Sequence, residues 1–559
     1  ALARRFEGLT RPLGNAVATE VGERPVRKIR GIPADVAWYA YGCSQCGYCV
    51  DHCDQFYGRG WESQSPRGKW YWLREYMEGR EKMDQAMVDT LLVCTTCELC
   101  DTRCSAQLPI ESSWMKLRGL LVQERKEMTF PPFEIMGAAL QKEGNIWAGF
   151  RKDRSDWFPE DLKEKHGEGR KAKIAYFAGC TSAYVEHDIA IATVRLLDAA
   201  GVDFTIVGNK ENCCGTPMLV AGKWDVFADV VRKNIQVLKE AGVDTVITSC
   251  PACNMMWRST YPIWAKKLGI DYNITTRHYS EVMAEKIGRG EFAFPQDAKK
   301  GPVTVTWHDS CHLGRALGVY EPPRQLIEAV PNAHLVEMSY NREEAHCCGS
   351  VLTLMKDPPV AAEIGKTRLD EALDAGAQKV LALCPCCEFQ LRVTAEKKQI
   401  PVQVEDLAHF AASALGFSFP DPNPEVQKQW AVFEAMIALM TPQGFAGLMG
   451  TMWPELIDAM PFGMGPMMRM MGKIPGALAL MKPMFPVLFP RLLPLMMPKL
   501  MPVMLERVRH MIPMPDYMEE QMPDLMPKVM DRLMPHMIGD VVPLVTQPMI
   551  DYLKAGARQ

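Results

Sequence analysis

Eight of the nineteen cysteines in this 559-residue chain repeat one metal-binding spacing. Cys43, Cys46, Cys49 and Cys53 follow C-x2-C-x2-C-x3-C, and Cys94, Cys97, Cys100 and Cys104 follow it again. With that spacing three thiolates of a tight loop hold one cubane while the fourth reaches across to a second. The expected sets are therefore Cys43, Cys46, Cys49 and Cys104 on one 4Fe-4S cluster, and Cys94, Cys97, Cys100 and Cys53 on the other. Four sulfurs also suit zinc, but zinc sites space two CxxC arms apart, whereas here three thiols crowd into seven residues.

A second pattern is written twice. Its first copy is Cys180, Cys213-Cys214-Gly215 and Cys250-Pro-Ala-Cys253; its second is Cys311, Cys347-Cys348-Gly349 and Cys384-Pro-Cys386-Cys387. Corresponding members lie 131 or 134 residues apart, which marks an internal duplication. Five thiols are one too many for a four-thiolate cubane, and two are adjacent. A bridging arrangement or an irregular cluster accounts for all five; a structural zinc leaves one unused, and a vicinal disulfide beside a zinc is the remaining alternative. Only the second copy adds His308, His312, His346 and Arg315 beside its cysteines. The histidines are candidates for donating a proton or a hydrogen bond to sulfur, and Arg315 either guides an anionic partner or forms a surface salt bridge.

These cysteines need elements to position them. Short apolar runs at 174–178, 244–248, 303–307 and 379–383 end at or just before Cys180, Cys250, Cys311 and Cys384, and amphipathic runs at 189–200, 226–241 and 361–375 lie between them. Each copy thus reads as a small α/β unit with a largely parallel sheet, its cysteines beyond the carboxyl ends of the strands where ligand crevices form. The whole is expected to be α/β and α+β multidomain. An N-terminal arm (1–35) precedes a helical two-cluster domain (36–130), a linker (131–172), the two duplicated units (173–300 and 301–415) and a helical extension rich in Met and Pro (416–559).

A net charge of -4 leaves no basic footprint for nucleic acid. The odd cysteine count and adjacent pairs are poor disulfide material. No signal-peptide pattern opens the sequence, so the cytoplasmic side is expected. No Gly-rich loop after a strand supports a flavin or nucleotide site. Of 37 methionines, 25 lie in residues 431–559, where prolines recur every fourth residue from Pro486 to Pro502. Lys482, Arg491 and Lys499 interrupt the most apolar part, which reads as short proline-punctuated helices docking on a membrane subunit or the bilayer interface and not as a spanning anchor.

The duplicated pattern resembles the CCG domain of heterodisulfide reductase-type proteins. Two ferredoxin-type motifs followed by two such domains resemble, over roughly residues 35–415, the catalytic iron–sulfur subunits of heterodisulfide reductases, of the D type and the DsrK type, the latter from DsrMKJOP sulfur-metabolism membrane complexes. The chain departs from the bacterial ferredoxin run, whose last cysteine precedes proline, by placing Asp54 after Cys53 and Ser105 after Cys104. The resemblance implies one or two noncubane 4Fe-4S clusters, on Cys180, Cys213, Cys214, Cys250 and Cys253 and on Cys311, Cys347, Cys348, Cys384 and Cys387; His308, His312 and Arg315 make the second copy the expected catalytic one. Cys386 is left over. The activity implied is oxidoreduction between a disulfide or trisulfide of a DsrC-like sulfur-carrier protein and a cytochrome b-like, quinone-reacting membrane subunit, with the chain peripheral on the cytoplasmic face of the membrane. The alternatives are a heterodisulfide reductase for small thiol coenzymes, the iron–sulfur subunit of a glycolate- or lactate-type oxidoreductase, and a non-catalytic electron-transfer or scaffold subunit.

Overall fold

The computed structural model describes residues 29–296, 301–474 and 476–556, so most of the arm at 1–35 lies outside the described residues. One compact unit runs up to Thr129 and again from Leu140 to Val426; the second comprises Phe130–Ala139 and the chain from Gln427 onward.

The first unit holds all nineteen cysteines and two sheets built alike. Strands β1 (Ile174–Phe177), β2 (Thr205–Ile206), β3 (Thr245–Thr248) and β4 (Thr275–His278) stand in the order β2-β1-β3-β4. Strands β5 (Val303–Trp307), β6 (Ala333–Val336), β7 (Lys379–Ala382) and β8 (Gln403–Asp406) repeat it as β6-β5-β7-β8. Every neighbouring pair is parallel. The inner strands β1, β3 and β7 each bury three residues in a row, as strands covered on both faces must. The covering helix Trp224–Ala241 buries Val226, Phe227, Val230, Val231, Ile235 and Leu238, the three-and-four spacing of one helix face. One apolar core takes in Tyr176 and Ile247 from the first sheet and Val305, Trp307 and Leu381 from the second, so the repeats pack directly on each other. Full burial of such side chains stabilises the fold by about 1.5–3 kcal/mol apiece.

The parallel topology puts the cysteines where the sequence pattern expects them. Cys180 follows β1, Cys250 follows β3, Cys311 follows β5 and Cys384 follows β7, all at the carboxyl end of their sheets. The paired cysteines come after β2 and β6 and are followed by glycines that no other residue replaces without strain. Gly215 and Gly349 have φ of +83° and +95°; a Cβ there would sit 2.7 Å from the Phe227 ring and 2.6 Å from the Ala361 carbonyl oxygen.

The N-terminal part of this unit is helical, with short helices Ala34–Gly42, Tyr48–Asp51, Asp54–Arg59, Pro66–Glu78, Gln85–Leu92 and Leu99–Arg103 around the two cysteine loops. Gln45 and Gly47 in one loop and Thr96 and Glu98 in the other adopt left-handed φ at matching positions.

Among the described residues the second unit holds helices and no strand, and it corrects one expectation. Its prolines do not break it into short helices: Phe485–Met511 runs 27 residues through Pro490, Pro494, Pro498 and Pro502, and Asp516–Gly556 runs 41 residues through five prolines. Four-residue spacing keeps the prolines of the first helix on one stripe beside the groove between the two helices, while Phe489, Leu493, Met496, Leu500 and Met504 bury the neighbouring stripe. Phe485–Met511 is also long and apolar enough by length and composition to cross a membrane, because the helix continues past Arg491, Lys499 and its prolines.

Candidate functional site

The eight ferredoxin-type cysteines come together in the crossed arrangement. Cys43, Cys46, Cys49 and Cys104 line one small cavity with Arg67 and Trp70. The Cys49 thiol is pushed up to about 11, first by burial and then by the charges of Cys43, Cys104 and Cys46. Cys53 is raised by burial and by the charges of Cys94 and Cys97, and Cys100 by burial and by Asp101, Cys97, Cys94 and Cys53. Cys46 is the one exposed thiol among the described residues. Trp70 is buried against Trp114, with ring centroids 4.3 Å apart, as packing under the loop.

The two duplicated cysteine sets converge on one shared cavity. Both five-thiol sets line a single cavity of about 80 Å³, together with Thr95, Thr96, His312 and Cys386. Sulfur contacts run through it continuously. Cys180 lies 3.4 Å from Cys213, Cys214 interacts with Cys213 and Cys253, and Cys250 with Cys253 and with Cys384 of the other repeat. Cys387 then meets Cys384 and, at 3.1 Å, Cys348, and Cys347 meets Cys311 and Cys348. The chain of contacts continues to Cys97, so the inner ferredoxin-type set borders the second repeat.

Within each repeat one thiol is held well below its ordinary range by hydrogen bonds with its neighbours: Cys214 with Cys213 and Cys253, Cys348 with Cys347 and Cys387. These neighbours are raised in turn. Buried, crowded thiols that cannot all ionise without a compensating cation are what a polynuclear iron site requires of its protein, so the residues fit iron–sulfur clusters.

The surroundings break the symmetry. Where the second repeat has His308, His312, Arg315 and His346, the first has Phe177, Thr181, Tyr184 and Asn212. His308 is buried and receives a hydrogen bond at Nδ1 from Arg368 Nε, 3.2 Å away. A guanidinium only donates, so the His308 proton sits on Nε2, and His308 donates to Cys348. His308, Cys348 and Cys387 bring their ligating atoms within 4.8 Å of one another. Of the three histidines named from the sequence, His312 alone lines the cavity; burial holds its ring down at about 4, so it is neutral at physiological pH. His346 points elsewhere: its Nδ1 is 2.9 Å from Asp54 Oδ1, and that bond with the charges of Asp54 and Glu371 raises its pKa although burial opposes the rise. Arg315 does not lie on the surface. It is buried and donates to the carbonyls of Cys97 at 2.5 Å, Ala345 at 2.6 Å and Glu343 at 3.3 Å, because a planar fork of donors can satisfy several converging carbonyls.

Sequence reasoning passed over Asp54. It is buried, and its carboxylate accepts from His346 and from the Cys347 backbone N–H at 3.1 Å and lies 3.7 Å from the Cys97 sulfur, so it joins the inner ferredoxin-type loop to the second repeat. The available signal was its position after Cys53, where the ferredoxin run has proline. Cys386, left over in the motif count, also faces the cavity.

Comparisons with known proteins agree with this architecture. The model of the cysteine-rich CCG domain matches residues 174–258 and 305–392, and that of a 4Fe-4S dicluster domain matches 42–109. The chain is 31% identical over 398 residues to the D-type subunit of the dihydromethanophenazine:CoB–CoM heterodisulfide reductase of Methanosarcina acetivorans, covering 67% of this chain and 94% of that one. It is 30% identical over 327 residues to the probable iron–sulfur-binding oxidoreductase FadF of Bacillus subtilis, covering 57% and 45%. It is 27% identical over 350 residues to the EtfAB:quinone oxidoreductase of Syntrophomonas wolfei, covering 58% and 47%. With its dicluster and duplicated CCG domains, the chain belongs to the family of iron–sulfur oxidoreductases that includes the D-type subunits of heterodisulfide reductases.

Proposed function

We propose that this oxidoreductase cleaves a disulfide between two small thiol coenzymes in the cavity shared by its two CCG repeats. The observation that carries this reading is the cavity itself: ten motif cysteines from two repeats surround one space, so the two sulfurs of one disulfide can each meet a different five-thiol set. Iron–sulfur clusters bound at all four sets, cubane on the ferredoxin-type cysteines and noncubane in the CCG repeats, would supply electrons one at a time and an iron site for a departing sulfur. The chain's own contribution is position and charge. The outer set with exposed Cys46 is placed to meet an electron partner, the inner set borders Cys347 through Cys97, and His308 and the buried cysteines shape the electrostatics of the second repeat. His312, neutral and facing the cavity, is a hydrogen-bond donor for a nascent thiolate.

The similarity to a CoB–CoM heterodisulfide reductase favours small thiol coenzymes over a DsrC-like carrier protein. A cytochrome b-like, quinone-reacting membrane protein is the partner class we infer, with the chain peripheral at the membrane; a relative named as a quinone oxidoreductase and the Met- and Pro-lined helices of the second unit support this. The test is EPR of the iron-loaded protein titrated with each thiol of a mixed disulfide and, separately, with a small sulfur-carrier protein bearing a disulfide. The expected result is a new signal on adding the small thiol. A zinc-only protein, or cubane signals indifferent to any thiol, overturns the reading, and a response to the carrier protein alone restores it as substrate.

A further inference from the structure

A second polar cluster lies buried between the repeats, next to Cys386. Glu186 and Asp188 come from the first repeat, Glu388 and Asp406 from the second, and each is at most 2% exposed. Against these four carboxylates stand Arg392, which pairs with Glu388, and His409, whose Nδ1 is 3.1 Å from Asp188 Oδ2. Five carboxylate oxygens have no hydrogen-bond partner: both of Glu186, Oδ1 of Asp188, Oε2 of Glu388 and Oδ2 of Asp406. The Tyr279 hydroxyl beside them is buried and equally unpartnered. The Asp406 carboxylate spends its other oxygen on the N–H groups of Ala408 and His409 at the start of helix Leu407–Ala414.

A desolvated group with four carboxyls and one guanidinium cannot hold four negative charges; protons must occupy it. Burial and the mutual repulsion of these carboxyls push Glu186 and Asp406 well above the carboxylate range, which agrees with that argument.

The cluster has two ends. At one, His409 lines a surface groove of about 780 Å³ together with Arg392, Glu405 and Phe419, and its Nε2 is 3.9 Å from Glu405. At the other, Glu186 follows helix Cys180–Tyr184, and Cys180 lines the sulfur cavity together with Cys386. Helix Cys180–Tyr184, just before Glu186, packs on helix Pro385–Lys397, and helix His187–Ala199, with Asp188, packs on helix Leu407–Ala414. The unpartnered oxygens therefore lie between the surface groove and the sulfur cavity.

We propose that His409, Asp188, Asp406 and Glu186 form a proton relay from the surface groove to the sulfur cavity. The inference rests on the disulfide chemistry proposed above. That reaction breaks one S–S bond and forms two S–H bonds, RSSR' + 2e⁻ + 2H⁺ giving RSH + R'SH, with electrons from the iron–sulfur centres and both protons from water. Nine of the ten motif cysteines that line the cavity are buried, so protons need a path to them, and thiol oxidation would send protons out along the same one. Glu388 and Arg392 stand beside the relay as a fixed ion pair.

The test uses the iron-loaded full chain and its Glu186→Gln and Asp188→Asn variants, with Glu396→Gln, at the rim of the groove but outside the relay, as control. Infrared difference spectra of the unmodified protein should show a protonated-carboxyl C=O band that shifts in D₂O and disappears in Glu186→Gln. With reduced dye as donor, both variants should load iron and accept electrons at the normal rate but reduce disulfide on the order of tenfold to a hundredfold more slowly, and added imidazole or formate should restore part of the rate. Absence of that band in the unmodified protein, or unchanged disulfide turnover and pH profile in both variants, overturns the relay. A protein that shows the band but reduces no disulfide refutes the substrate reading and with it the relay's purpose, whereas turnover without the band refutes the relay alone.

Discussion

Arg368 decides which nitrogen of His308 carries the proton, and at that scale most of the site's chemistry is set by buried neighbours of the cysteines. His278 shows how strongly such burial acts. It ends β4 with Nε2 3.1 Å from the Ser249 carbonyl oxygen, and burial lowers its pKa from 6.5 to about 4. Above pH 6.5 the ring is neutral in both folded and unfolded chains. As the pH falls from about 6.5 through about 4 the unfolded chain takes up the proton first, so the protein should lose up to about 3 kcal/mol of stability over that window, and His278→Gln should flatten the loss in denaturant titrations at about pH 4.5 and 7. Arg315 offers a second test. Arg315→Ala leaves three carbonyls without their donor and should cost about 2–4 kcal/mol, read as a lower midpoint of thermal unfolding. Arg315→Lys should recover only part of it, since an ammonium lacks the planar fork.

At the scale of elements, the strand ends and the turn after each cysteine pair do the positioning. Gly349 holds a left-handed turn against the Ala361 carbonyl. Gly349→Ala adds roughly 1–2 kcal/mol of backbone strain to a steric clash, and it should displace Cys347 and Cys348 and lower iron occupancy of the second repeat. Iron analysis with EPR of the variant should find the ferredoxin-type signals unchanged. The proline-bearing helices of the second unit were misjudged from sequence because each proline was weighed as an isolated break. In the first helix they are spaced by four and share one stripe, and the packed stripe beside them keeps the helix continuous.

At the scale of the molecule, the two repeats are alike in fold and unlike in charge. The second is tied to the ferredoxin-type region by Asp54 to His346, by Arg315 to the Cys97 carbonyl, and by the Arg103–Glu344 pair at 2.8 Å. Electrons are thus expected to reach the second repeat first. Cys53→Ala removes a thiol of the inner set and should slow reduction of the CCG centres by a donor acting at the outer set, on the order of tenfold or more, while a small diffusible reductant still reaches them; stopped-flow spectra with both reductants check this.

The sequence by itself determined the four cysteine groups, the crossed pairing expected of the first two, and the parallel strands that carry the rest, because spacing, periodicity and duplication are local properties of the chain. It also marked the second repeat as the charged one. The meeting of Cys250 with Cys384, the contact of Cys97 with Cys347, the place of Asp54, and the buried carboxyls shared by the repeats were decided only by the tertiary structure. These bring together residues tens to hundreds of positions apart. Which distant groups become neighbours depends on how the two sheets bury their apolar faces in one core, and that packing turns two five-cysteine motifs into a single cavity.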